Sequence, residues 1–105
     1  MQRGEVRWYR FDSPDKKRPV LILTRDSILE ALGEVTIAPV TTTIRNIPSE
    51  VLLSEEDGMP RTSVINLDHV QTVSKGKLGS VITRLSVARM QEVRSALLFA
   101  LGFRG

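Results

Sequence analysis

For most of this chain the apolar residues come in short runs or alternations, the pattern of strands, and only the C-terminal stretch keeps a helical period. The organising stretch is 18–25. Val20-Leu21-Ile22-Leu23 is too short for a helix and apolar on both sides, which predicts a central strand covered on both faces. Pro19 cannot donate to a ladder and is tolerated at a strand's first position, so the strand is expected to begin there with Arg18 at its mouth. Residues 4–11 predict an earlier strand, Val6 and Trp8 on one face and Arg7 and Tyr9 on the other. Asp, Ser and Pro at 12–15 break it.

Further on, 26–32 predicts a short helix with Asp26 as N-cap and Gly33 as its stop. Residues 34–43 return to strand chemistry, and Pro39 there argues for an edge position or a bulge. Residues 44–48 read as a loop and 49–53 as a short strand, followed by an acidic turn at 55–60. A long β-like segment, 62–73, is interrupted by Asn66, Asp68 and His69, polar groups that need partners or a ligand. After a turn at 75–79 and a last strand at 80–85, Ser86 caps a helix over 87–101 with Gly102 past its end. Val87, Met90, Val93, Leu97 and Leu101 share the face expected to pack on the sheet. The final turns are apolar nearly all round, which predicts a subunit interface.

Composition narrows the chemistry. The 105 residues fit one domain, 1–105, and contain no cysteine and a single histidine. Disulfides, thiolate metal sites and cysteine nucleophiles are thereby excluded, and so is a pair of catalytic histidines within one chain. No segment is long and apolar enough to span a bilayer and none resembles a signal peptide, so a cytoplasmic protein without a membrane partner is expected. The net charge of +3 is unevenly spread. Residues 1–25 hold seven cations against three carboxylates, so the positive field belongs to the N-terminal third. Lys16, Lys17 and Arg18, consecutive on a loop tip, suit a phosphate backbone.

The order and spacing of several segments carry a resemblance across nearly the whole length. They are Arg3-Gly4-Glu5-Val6-Arg7-Trp8, Arg18-Pro19-Val20-Leu21-Ile22-Leu23, Val35 through Thr42, Ser63 through Asp68, Gln71-Thr72-Val73 and Leu78-Gly79. In these the chain resembles the MazF/PemK (Kid) family of toxin–antitoxin endoribonucleases. The resemblance implies an α+β fold of the CcdB/PemK type, a strongly curved antiparallel sheet or small SH3-like barrel with a C-terminal helix. It also implies a homodimer with an RNA groove near the subunit interface and a cognate MazE-like antitoxin that occupies it with an acidic segment. The implied activity is sequence-specific cleavage of single-stranded RNA, messenger RNA foremost, without metal or other cofactor. The ribose 2′-hydroxyl attacks, leaving a 2′,3′-cyclic phosphate and a 5′-hydroxyl.

Carried over residue by residue, the family's arginine before the strand proline falls on Arg18 and its threonine ending the next strand on Thr41. Asp68 and His69 are candidates for catalysis or base recognition, and Lys16, Lys17, Thr42, Thr43 and Arg45 for RNA contact. The short first loop lacks the family's longer Gly-Ser-Glu-Gln-like sequence, for which Asp15 or Lys16 is the local substitute. Asn66 stands where the PemK branch has an arginine, which weakens a PemK-like acid/base scheme. The alternative is a non-catalytic inhibitor of DNA gyrase like the fold-related CcdB toxins, binding through the apolar C-terminal tail.

Overall fold

The computed structural model describes residues 1–12 and 16–104. Its strands are β1 (Glu5–Arg10), β2 (Lys17–Ile22), β3 (Glu34–Thr41), β4 (Glu50–Leu53), β5 (Ser63–Asn66), β6 (Gln71–Ser74) and β7 (Leu78–Arg84), with helices α1 (Asp26–Leu29) and α2 (Val87–Leu101). All pairings are antiparallel, in the order β4-β5-β3-β2-β1-β7, with β6 also paired to β3. The fold is therefore the α+β arrangement the sequence predicts, as an open sheet rather than a closed barrel.

The central strand behaves as its composition requires. Leu21 joins Val6, Ala38, Ile65 and Leu67 in one core, under α2, while Val20 and Ile22 join Tyr9, Val35 and Ile37 in a second core on the opposite face. Full burial of each such side chain contributes about 1.5–3 kcal/mol. The strand starts earlier than expected, however. Lys17 pairs with Arg10 and Arg18 with Tyr9, so Arg18 lies within the ladder and Pro19 opposite Trp8.

Pro39 is not at an edge, because β3 is the most connected strand of the sheet. The Leu23 N–H bonds the Thr36 carbonyl at 2.9 Å, and alternation along the ladder then makes Val20/Pro39 a non-hydrogen-bonded pair. On its other side β3 pairs with β6 as far as Ile37 and with β5 from Val40. Residues 38 and 39 fall in the gap between these partners, where a missing N–H is tolerated.

The long β-like segment breaks where its polar residues predicted trouble, with a 3₁₀ turn at Leu67–His69 separating β5 from β6. In α1 the cap differs from expectation: Asp26 is the first helical residue, and its carboxylate accepts from the Arg3 backbone N–H at 2.7 Å instead of capping. In α2 the Ser86 cap and the left-handed Gly102 (φ 78°) match the prediction. Its packed stripe does not match throughout. Met90, Val93, Ala96, Leu97 and Ala100 meet the core beside β4 and the 67–69 turn, whereas Val87 and Leu101 are exposed.

Candidate active-site groove

The pairing of β2 with β3 ends at Val20/Pro39. Two residues further along each strand stand Arg18 and Thr41, which by alternation share the face of Val20 and Pro39. At this point β3 has turned to β5, where Thr41 pairs with Val64, while Arg18 stays paired to Tyr9 of β1. The strands part, and the wedge between them is a groove of about 450 Å³. Lys16, Lys17, Arg18, Thr41 and Thr42 all line it. Ladders on the outer sides of the two strands thus hold a guanidinium and a hydroxyl at one opening.

The opposite wall was not legible in the sequence. Met59, Pro60, Arg61 and Ser63 form it, and Trp8 contributes from β1. This wall is anchored by a 3₁₀ turn, Glu55–Asp57, in which Ser54 and Asp57 make reciprocal capping bonds. Gly58 then reverses the chain with φ 90°. The Arg89 Nε donates to Asp57 Oδ1 at 2.9 Å, and this guanidinium, above all other causes, holds the Asp57 carboxyl below its ordinary pKa. The only sequence signal for the wall was the glycine after an acidic run.

Charge in the groove is one-sided. Lys16, Lys17, Arg18 and Arg61 line it, and no carboxylate does so among the described residues. Carboxylates among the described residues pair away from it: Glu5 with Arg7 and Arg84, Asp57 with Arg89, Glu92 with Arg89, Asp12 with Lys77. Four cations with no carboxylate beside them among the described residues make a field suited to an anion. Thr41 Oγ1 accepts from the Thr43 N–H at 3.2 Å, which leaves its own proton free to donate.

The remaining sequence candidates are placed differently. Thr43 and Arg45 do not line the groove; they belong to the β3–β4 loop, where Glu50 Oε1 accepts from the N–H groups of Arg45 (3.0 Å) and Asn46 (3.1 Å). Asp68 and His69 do not line it either. Asp68 Oδ2 accepts from the buried Ser49 hydroxyl at 2.5 Å, and His69 Nδ1 lies 3.3 Å from Asn66 Nδ2. Both are exposed, each with one local contact in the turn that packs against α2. Asp15 lies outside the described residues. No three His, Cys, Asp or Glu side chains cluster for a metal among the described residues, and no described helix is long and apolar enough to cross a membrane.

Comparison with known proteins gives a consistent picture. Residues 2–101 match the model of the PemK-like, MazF-like toxins of type II toxin–antitoxin systems. The chain is 42% identical over 96 residues to the probable endoribonuclease MazF5 of Mycobacterium tuberculosis, covering 90% of this chain and 87% of that protein. It is 39% identical over 83 residues to endoribonuclease MazF3 of the same species, covering 79% and 81% of the two. Among solved structures, the M. tuberculosis toxin MazF-mt6 superposes with a TM-score of 0.88 at 33% identity, covering 96% of this chain and 99% of that one. An endoribonuclease from a mycobacterial species, solved in complex with its cognate antitoxin, gives 0.88 at 28% identity, covering 100% and 98%.

Proposed function

The chain belongs to the PemK-like, MazF-like family of type II toxin–antitoxin toxins, and from that premise we propose that it is an endoribonuclease cutting single-stranded RNA in the groove between β2 and β3. The observation that carries this reading is the groove itself, with Arg18 and Thr41 at the parting of two strands among cations that no described carboxylate joins. The substrate supplies its own nucleophile. A 2′-hydroxyl gives its proton to solvent and attacks the neighbouring phosphorus, the O2′–P bond forms as the P–O5′ bond breaks, the departing 5′-oxygen takes a proton from water, and proximity is intrinsic to the RNA. What remains for the protein is to hold the backbone in line and to stabilise the charge that grows on the phosphoryl oxygens.

Arg18 does this with a forked pair of N–H donors on a rigid strand. A guanidinium is a poor proton-transfer group, so the role of Arg18 is electrostatic. Thr41 adds a hydroxyl donor from the other strand, and Lys16, Lys17 and Arg61 draw in the flanking phosphates. No metal is needed for this chemistry. Messenger RNA is the main target, and the protein acts as a homodimer. A cognate antitoxin inhibits it through an acidic segment, which the cation-lined groove suits.

The test is cleavage of a long, defined RNA in EDTA with mapping of 5′ ends and analysis of terminal phosphates. Discrete cuts carrying 2′,3′-cyclic phosphates are expected, with Arg18→Ala slower by a factor on the order of 10²–10³. A folded Arg18→Ala protein that cuts at the wild-type rate removes Arg18 from the mechanism. The gyrase-inhibitor alternative is disfavoured by the family match and by the endoribonuclease relatives.

A further inference from the structure

The groove does not end at Trp8 and Lys17. Beyond these two residues lies a second hollow of about 310 Å³, whose walls are Trp8, Tyr9, Arg10, Lys17 and the segment 76–80. A bulge in β7 opens it. Arg7 faces Val81 but Tyr9 faces Leu78, so β7 has one residue more than β1 here, and the surplus falls at 79–80, opposite Trp8. Bulges of this kind re-aim side chains and interrupt pairing beside binding sites. Gly79 adds no side chain to the hollow; a Cβ there would meet Trp8 Cβ at 3.4 Å and the Trp8 carbonyl at 3.5 Å in ordinary van der Waals contact, so a longer side chain is what would fill the space.

The charges are the second observation. Arg10 and Lys17 are direct cross-strand partners. Like charges opposite each other destabilise a sheet, and no carboxylate among the described residues pairs with either. A third cation, Lys77, holds Asp12 at 2.5 Å, but the Asp12 side chain is 92% exposed. An ion pair so open to solvent exchanges readily for a better anion. An unrelieved like-charge pair and a displaceable carboxylate therefore surround a glycine-lined hollow that shares two residues with the proposed cleavage groove.

We propose that this hollow is a second phosphate subsite for the same RNA strand, with Trp8 as the rib between the two subsites against which a base stacks. The inference rests on the nuclease reading. A phosphodiester displaces Asp12 from Lys77 and relieves the repulsion between Arg10 and Lys17. Stacking on an aromatic face and contact with the backbone are both tolerant of sequence. The subsite therefore lengthens the bound segment without adding to the sequence read.

Trp8 is the only tryptophan in the chain, so its fluorescence reports occupancy directly. The probes are mixed-sequence, fully 2′-O-methylated oligoribonucleotides of about four and about ten nucleotides, which bind but cannot undergo 2′-attack. For the wild type, the longer probe is expected to quench Trp8 with at least about tenfold higher affinity and a salt dependence steeper by roughly 0.7 per added phosphate contact. Arg10→Gln/Lys77→Gln abolishes both differences, and Gly79→Leu, which fills the hollow without changing charge, abolishes the affinity difference. Arg25→Gln/Arg104→Gln, with the same net charge and exposed positions outside both hollows, retains them. Equal behaviour of the two double variants, or no length preference in the wild type, overturns the subsite. A protein that shows the length preference but never cuts unmodified RNA keeps the subsite and refutes the nuclease. One that cuts RNA while the double variants behave alike does the reverse.

Discussion

Glu5 offers the sharpest test of how the sheet is held beside the groove. Its side chain is only 5% exposed, yet it carries a carboxylate on β1, paired across the ladder with Arg84 of β7. Glu5 Oε1 accepts from Arg7 Nε at 2.8 Å and Oε2 from Arg84 Nη2 at 3.1 Å, while Arg7 Nη1 goes on to the Gly79 carbonyl at 2.9 Å. Because Arg84 is 61% exposed, its share is that of a surface pair, ~0–1 kcal/mol. Arg7 is 19% exposed, and its charge-assisted bond contributes about 1.5–3 kcal/mol. Glu5→Gln is therefore expected to lower stability by about 2–3 kcal/mol at neutral pH, a fall in Tm on the order of 10–20 °C. Burial acts to raise the Glu5 pKa, but the bonds from Arg7, the Gln2 backbone and Arg84 outweigh it and leave the group below its ordinary 4.5. A carboxyl depressed by folding stabilises above its unfolded pKa and loses that contribution as pH falls through the folded one. The stability gap between wild type and Glu5→Gln should hold from pH 7 to about 5 and narrow below about 4. Urea unfolding followed by circular dichroism at several pH values measures it. A variant with the wild-type midpoint at pH 7, or a gap unchanged in acid, would refute the reasoning.

Two further substitutions test the groove's far wall and the apolar end of α2. A Cβ on Gly58 would lie 2.3 Å from Thr83 Oγ1 and 2.8 Å from Thr83 Cβ, at φ 90°, and would disturb the Thr83 bond to the Asp57 carbonyl. Gly58→Ala should cost about 2–4 kcal/mol, against about 1 for Gly102→Ala, which also has a positive φ but open space around it; equal losses in thermal denaturation would show that strain alone matters. Phe99 and Phe103 are 59% and 66% exposed. If a second copy covers them in the proposed homodimer, Phe99→Ser/Phe103→Ser should weaken dimerisation by a factor on the order of 10² or more in sedimentation velocity, and an unchanged dimer places the interface elsewhere.

Legibility followed the range of the physics. Alternation and capping are local, so the strands at 4–11 and 49–53, the Ser86 cap and the Gly102 stop could be read from neighbours alone. Pro39 was misplaced because its tolerance depends on two other strands, β5 and β6, which share β3 and leave a gap at that residue. Val87 and Leu101 fit a helical face by spacing but fall beyond what the core covers, since small Ala96 and Ala100 let α2 approach along a shifted stripe. In the groove, Arg18 and Thr41 were found through motif order. Arg61 and Ser63 were invisible, because nothing in a linear sequence places the residues after an acidic turn against a loop some forty positions earlier. Asp68 and His69 caught attention as polar residues in an apolar segment. In the structure both are exposed outside the groove, Asp68 bonded to Ser49 and His69 beside Asn66 in the turn beneath α2.

The location of the groove follows from what a small chain can preorganise. Electrostatic stabilisation works when the charge is held before the reaction begins, so that nothing need reorganise as the phosphorane forms. A lysine on a loop supplies field but not position, whereas Arg18 sits on a strand whose next residues are buried in two cores. Thr41 is likewise fixed by its ladder to Val64. Had β2 and β3 stayed paired to their ends, these side chains would lie flat on a continuous sheet with no room for a phosphodiester. Had they separated earlier, both mounts would be loops. Parting two residues past Val20/Pro39 gives an opening bounded by rigid strands, and the pairing of Arg7, Arg84 and Arg89 with Glu5, Asp57 and Glu92 elsewhere leaves Lys16, Lys17 and Arg18 to face it with no carboxylate among the described residues lining it.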